Sequence, residues 1–211
     1  ILRSGLGFSR CDIAIITNIQ EDHLGLADIH TLDDLARVKA TVVRSVKKDG
    51  WAILNAEDEQ CLKIANELSC NIAYFSMDEN NPKVQQFAKE GKTVAVYENG
   101  YITIKKGEWK IRVERATHVP LTLGGKAKFM IANALAATLA AYLQGFKTED
   151  ISLSLQTFIP SAAQTPGRMN IFEFKKFKVL IGFAHNPAGY RGVEEYLQSV
   201  SATKKIGIIA G

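Results

Sequence analysis

The run Cys11-Asp12-Ile13-Ala14-Ile15-Ile16, closed by the polar pair Thr17-Asn18, constrains the fold more than any other segment. Its apolar side chains are continuous rather than alternating, so both faces must be covered, as in the interior of a parallel sheet. A parallel neighbour needs a crossover, usually a helix. Residues 31–46 supply one: Thr31 can cap it, with Asp34 as an acidic partner in the first turn. A strand at Trp51-Ala52-Ile53-Leu54, a turn at 55–58, an amphipathic helix at 59–68 and a strand at 71–75 continue the alternation. The predicted class is α/β, with a doubly wound, mostly parallel sheet. Ligands of such sheets bind beyond the carboxyl ends of the strands, which places Ile19-Gln20-Glu21-Asp22-His23 in a functional position.

Further on the pattern changes. Val94–Tyr97 and Tyr101–Ile104 flank Asn99-Gly100, a hairpin turn, and a second turn leads to the alternating stretch 109–113. This reads as a small antiparallel meander attached to the α/β core, with one solvated face. Residues 128–143 form an Ala-rich core helix ended by Gly145. Residues 159–167, with Pro160 and Pro166, are the best domain linker. A hairpin at 171–181, a helix near 191–200 and an apolar strand at 206–211 then open a second α/β domain, giving domains at 1–165 and 166–211. A buried strand at 206–211 would need neighbours for its backbone. With Ile rather than Met at position 1, the chain is expected to be a piece of a longer protein.

Lys and Arg number 26 against 22 Asp and Glu, dispersed, for a net charge of +4. That is too thin for a nucleic-acid arm but suits an anionic ligand. No membrane span or signal segment is read, and Cys11, Cys61 and Cys70 lack CxxC spacing, so idle thiols in the cytoplasm are expected. Phosphate-loop, dinucleotide, nucleophile-elbow and HExxH motifs do not occur in the sequence.

Four residues are candidates for chemistry. On a helical wheel Lys39 falls in the middle of an arc of about 120° holding Leu32, Leu35, Ala36, Val42, Val43 and Val46. Its stem could snorkel at the edge of the core. Alternatively its amine reaches a polar cavity, to pair with phosphate or to form a carbamate that serves as an acid-like metal ligand. His23 follows Glu21-Asp22, a pattern open to metal or phosphate contact or to a structural hydrogen bond. His185-Asn186-Pro187 follows the apolar strand Val179-Leu180-Ile181 and precedes a helix. Arg168 ends the linker, where its planar fork could grip a phosphate held between domains or stay exposed. His30 and His118 read as structural.

Six motifs, in order, carry a family resemblance: Thr17-Asn18 with Glu21-Asp22-His23-Leu24-Gly25; Lys39, sixteen residues beyond His23; Leu54-Asn55-Ala56-Glu57-Asp58; Asn133-Ala134-Leu135-Ala136-Ala137; Pro166-Gly167-Arg168; and Ala184-His185-Asn186-Pro187. Together they resemble the Mur ligase superfamily, and within it most nearly the C-terminal ligase part of the cyanophycin synthetases. The resemblance implies a Mur ligase-like central domain at 1–165 and the start of a Rossmann-like C-terminal domain at 166–211. It implies ATP-dependent amide formation through an acyl phosphate, with ATP and Mg2+. The partners would be a cyanophycin or poly-aspartate primer and arginine, in a homo-oligomeric parent, with no nucleic acid or membrane. His23 and Lys39 would be catalytic and serve the magnesium site, Lys39 as a carbamate. Asn133, Arg168, His185 and Asn186 would contact nucleotide. The family's phosphate loop and a magnesium-binding Glu would lie upstream of residue 1, so the isolated chain is expected to be inactive. Gly182 stands where relatives often have Asp, and Phe129-Met130 where an adenine-contacting Asn or His is found. A cell-wall or folate ligase, or a degenerate ligase-like binding domain, remain the alternatives.

Overall fold

A computed structural model of the protein describes residues 5–22, 24–25 and 28–209. The predicted site residue His23 lies outside the described residues, as do the last two residues of the predicted strand 206–211.

The α/β class holds. Six strands form one sheet in sequence order: β1 (Cys11–Ile16), β2 (Val46–Asn55), β3 (Asn71–Ser76), β4 (Thr93–Glu98), β5 (Tyr101–Lys106) and β6 (Trp109–Arg115). The first four run parallel and the last two antiparallel. The crossovers are α1 (Leu32–Arg44), α2 (Glu59–Ala65) and α3 (Pro82–Lys89). Successive side chains of β2 and β3 point to opposite faces and enter two cores. Leu54 and Tyr74 pack with Leu35, Val43, Ile64 and Phe87 of the crossover helices. Ile53 and Phe75 pack with Leu135, Leu139 and Ile151 of α4 (Lys128–Leu143) and α5 (Thr148–Thr157).

Local chemistry explains the helix starts. Thr31 Oγ1 accepts from the Asp34 amide at 3.1 Å while the Asp34 carboxylate takes the Thr31 amide at 3.0 Å, a complete capping box. Asn81 caps α3, with Pro82 in its first turn.

The small antiparallel meander is present as β4, β5 and β6, attached to the core through β4, which pairs parallel with β3, so hairpin and core share one sheet. The expected solvated face of the meander is corrected at β5. Ile102, Thr103 and Ile104 are consecutive and buried, because α3 approaches the sheet from one side and α4 from the other.

Asn170–Glu173 (β7) and Lys178–Ile181 (β8) form a separate antiparallel pair, followed by α6 (Pro187–Ser199). Its helix starts a turn earlier than predicted, since Asn186 caps it and Pro187 occupies the first turn. Residues 206–209 are not the buried strand expected. Ile208 is 94% exposed, and β7 and β8 pair only with each other among the described residues, leaving this segment no ladder to join.

A buried carboxylate locks α5 to β6. Glu114 accepts from Ser152 Oγ at 2.6 Å, from the Arg115 amide at 2.7 Å, from Gln156 and from His118 Nδ1 at 3.0 Å. His118 is thus structural, as expected. Burial pushes the Glu114 carboxyl upward, but the bonds from Ser152, Gln156 and Arg115 outweigh it and hold the group below the usual glutamate range. A group with a lowered folded pKa stabilises fully above its unfolded value of about 4.3, and that contribution fades as pH falls below it. Thermal melts between pH 7 and pH 3.5 should therefore show an acid-side loss of stability that Glu114→Gln makes shallower.

Candidate functional site

The carboxyl ends of β1, β2 and β3 are tied together by the turn after β2. Asn55 Nδ2 donates to the Thr17 carbonyl at 2.9 Å, and Asn55 Oδ1 accepts the Glu57 amide at 2.9 Å. Glu57 Oε1 accepts from Ser76 Oγ at 2.7 Å and from the Met77 amide. Buried Asp58 accepts the Ile19 amide at 2.6 Å with one oxygen and the Cys61 amide, capping α2, at 3.0 Å with the other. Three residues of this four-residue turn thereby fix three strand-end loops. The sequence motif was visible, but its bracing role was not, because each partner lies some 19 to 39 residues away.

Beyond these strand ends lies an open cleft of about 340 Å3. Thr17, Asn18 and Asn55 form its β1–β2 wall, Met130 and Asn133 of α4 a second, and Arg168, His185 and Asn186 a third. Asn133, Arg168, His185 and Asn186, four predicted site residues spread over more than fifty positions, thus face one space. His185 Nε2 lies 3.3 Å from Asp22 Oδ2, joining the segment after β8 to the loop after β1. Asn186 Oδ1 is engaged by the Gly189 amide at 2.8 Å. The Arg168 guanidinium lies over the Phe183 ring, 5.2 Å from its centroid, and both residues line the cleft. Asn170 shapes that turn: its side chain takes the Gly167 amide at 2.8 Å and donates to the Thr165 carbonyl at 3.0 Å. Phe183 and Asn170 were not singled out from sequence; the spacing of Asn170 from Pro166-Gly167 is the only signal that could have done so.

Lys39 leaves the apolar stripe of α1 without joining the core. Leu35, Ala36, Ala40 and Val43 are buried, whereas Lys39 is half-buried and its Nζ donates to the Asn18 carbonyl at 3.4 Å. The snorkelling stem and the site-directed amine are therefore compatible: the alkyl part covers α1 and the amine ends where Asn18 enters the cleft. Among the described residues no three His, Cys, Asp or Glu side chains converge on a metal position. Cys61 is idle: burial pushes its thiol up to about 12. No described helix is long and apolar enough to cross a membrane.

The cleft gathers a guanidinium and an imidazole among neutral amides and small apolar groups, so it offers hydrogen-bond donors and one fixed positive charge beside an apolar surface at Met130 and Phe129. Close approach of α6 to α4 extends the third wall through Ala188, Gly189 and Gly192. A Cβ on Gly192 would meet the Phe129 ring at 3.0 Å, so glycine permits that approach.

Comparison with known proteins agrees with this fold. The chain is 46% identical along its whole length to the cyanophycin synthetase of Trichormus variabilis, of which it spans 23%. It therefore covers about a quarter of that curated relative. A crystal structure of MurF from Acinetobacter baumannii superposes over 90% of the chain and 38% of its own, with TM-score 0.65 and 21% identity. FolC from E. coli, in complex with DHPP and ADP, superposes over 92% of the chain and 40% of its own, with TM-score 0.62 and 16% identity. The model of the Mur ligase middle domain matches residues 3–141, and the chain belongs to that family.

Proposed function

We propose that this chain carries the nucleotide cleft of an ATP-dependent amide ligase of the cyanophycin synthetase kind, adding arginine to aspartate side-chain carboxylates of a poly-aspartate backbone. What supports the reading is the convergence of Asn133, Arg168, His185 and Asn186 on one cleft at the strand ends, together with 46% identity to a cyanophycin synthetase over the whole chain. The domain division at 1–165 and 166–211 belongs to the same proposal, with the cleft between the two parts.

In this reading the γ-phosphoryl group of ATP passes to a substrate carboxylate, giving an acyl phosphate and ADP. The arginine amine then attacks the acyl carbon, the C–O bond to phosphate breaks, and the amine's proton leaves to solvent or base. Asn133 and Asn186 hold the nucleoside end, and His185 orients the cleft through its pair with Asp22. Arg168 lies against the phosphates, where a fixed cation stabilises charge that spreads over the transferring group. From the β1 side Lys39 serves the site in one of two ways, as an ammonium facing the phosphates or as a carbamate. His23 and a carbamylated Lys39 are the residues the reading assigns to magnesium, which would supply charge neutralisation at the phosphates. The chain alone is proposed to be inactive, because the family's phosphate loop is expected in the remainder of the longer protein. The parent is proposed to be a cytoplasmic homo-oligomer.

The test is arginine-dependent ADP formation by the whole protein. Arg168→Ala should raise the KM for ATP about tenfold or more, while substitution of arginine by alanine or glutamate as the incoming amine should abolish turnover. Turnover with those amino acids and not with arginine would favour a cell-wall or folate ligase instead.

A second reading, a degenerate ligase-like binding domain, draws on Gly182 and Met130. It is separable. A Cβ at Gly182 would meet Met169 Sδ at 3.5 Å and Val193 at 3.9 Å, ordinary contacts, so Gly182→Asp should fold. Our reading expects little change in activity from that variant; a large gain from a near-inactive protein would reveal a decayed site.

A further inference from the structure

The backbone around Arg168 is held in an uncommon shape. Gly167 and Met169, on either side of it, both have left-handed backbone, at φ +68° and +57°. A methionine adopts that conformation at a cost, and keeps it only where its surroundings hold it. Here they do. Met169 is buried with Met130 and Tyr196. The Arg168 amide donates to the Thr165 carbonyl at 3.0 Å, and the buried Asn170 side chain bonds both Gly167 and Thr165. What remains to be set is the arginine side chain, a long flexible stem ending in a guanidinium. One ring meets it, that of Phe183. A Cβ on Gly167 would lie 3.8 Å from Phe183 Cβ, so the ring springs from beside the same turn. On its other flank the His185 ring is 4.9 Å away, centroid to centroid, and His185 Nδ1 is 3.3 Å from the Phe183 carbonyl. Phe183 therefore stands between the guanidinium and the imidazole of the cleft. Yet it is 64% exposed and belongs to none of the three apolar clusters among the described residues. A phenylalanine this open contributes little to a core.

We propose that Phe183 is a positioning residue for Arg168, its ring face holding the guanidinium in place before nucleotide arrives. The inference rests on the reading that Arg168 meets the phosphates of ATP, and adds a residue to it. A guanidinium lying on an aromatic face keeps its N–H donors at its own edge, where a phosphate can still take them. A carboxylate would hold the arginine as firmly but would occupy those donors and cancel the charge. Ordering the stem beforehand also removes a cost that binding would otherwise bear.

The experiment measures KM for ATP and KM for arginine in arginine-dependent turnover by the whole protein. Phe183→Leu keeps the bulk but loses the ring face. It should raise KM for ATP about threefold, the size of an exposed cation–π contact, and leave KM for arginine where it was. Phe183→Tyr restores the face and should recover most of what leucine loses. In an Arg168→Ala background, Phe183→Leu should change KM for ATP no further, because the group it positions is gone. The same threefold rise in both backgrounds would show the ring acting independently of Arg168 and would overturn the proposal. So would an unchanged KM for ATP in Phe183→Leu, an equal rise in both KM values, or no recovery with tyrosine. In each of those cases a raised KM in Arg168→Ala leaves the nucleotide reading standing. An Arg168→Ala protein with unaltered KM for ATP would contradict that reading itself, and this inference with it.

Discussion

Replacing Lys39 with alanine in the whole protein is expected to lower arginine-dependent ATP turnover by about a hundredfold or more, the usual cost of losing one charge aimed at a developing anion. Folding should survive. Lys39 is half-buried; among the described residues its amine bonds the Asn18 carbonyl alone, at a long 3.4 Å, and alanine is a strong helix former. The loss should therefore appear in kcat without a matching fall in melting temperature. Lys39→Arg divides the two chemical roles. Arginine keeps the charge but cannot form a carbamate, so substantial activity in that variant would assign Lys39 a purely electrostatic role. Equal loss in both variants, with turnover that depends on bicarbonate in the unaltered protein, would assign it the carbamate. Activity near that of the unaltered protein in Lys39→Ala would contradict any part for Lys39 in the site.

Gly50→Ala should be the most destabilising small substitution in the sheet, costing about 3 kcal/mol. A Cβ there would sit 2.4 Å from the Asp12 carbonyl oxygen and 2.8 Å from Val46 Cγ1. The first is backbone and cannot swing aside. Gly50 lies in β2 beside the register irregularity of β1 between Cys11 and Ile13, where the strands approach most closely. Relief requires β1 to move, and β1 carries the Thr17-Asn18 wall of the cleft. Urea titration of the variant should show a lower midpoint with an unchanged slope. Because total stabilities are commonly about 5–15 kcal/mol, a loss of this size is a large share of the whole. A midpoint equal to that of the unaltered chain would show that the β1–β2 approach is looser than described.

These two positions also mark how far the sequence could be read. The buried strands announced themselves through unbroken apolar runs, and α1 through Thr31 and Asp34, because those signals are local. Lys39 was conspicuous because it broke a periodic stripe. Gly50 gave no sign, since its demand comes from a carbonyl thirty-eight residues earlier. The helix α3, whose Val84, Phe87 and Ala88 are buried behind the Asn81 cap, was not read from the sequence. Without that crossover nothing local showed that β4 continues the parallel sheet before the chain turns antiparallel. α5 was missed for a different reason: only Ile151 is buried, while Leu153 is exposed, so its stripe is thin. Apolar residues at 206–209 suggested a strand, yet propensity without a neighbouring ladder makes none. For the site, the motif residues around the cleft were legible, whereas the bracing by Asn55, Asp58 and Asn170 depends on partners that only the folded chain brings near.

The central claim is that the cleft between α4 and the segments at 166–169 and 182–189 is the nucleotide site of a ligase. A structure of the whole protein with a non-hydrolysable ATP analogue tests it most directly. The account expects the base against Met130 and Asn133, the phosphates within hydrogen-bond reach of Arg168, and the triphosphate end directed toward Asn18 and Lys39. Nucleotide bound elsewhere, with Arg168 and Asn133 untouched, would contradict it.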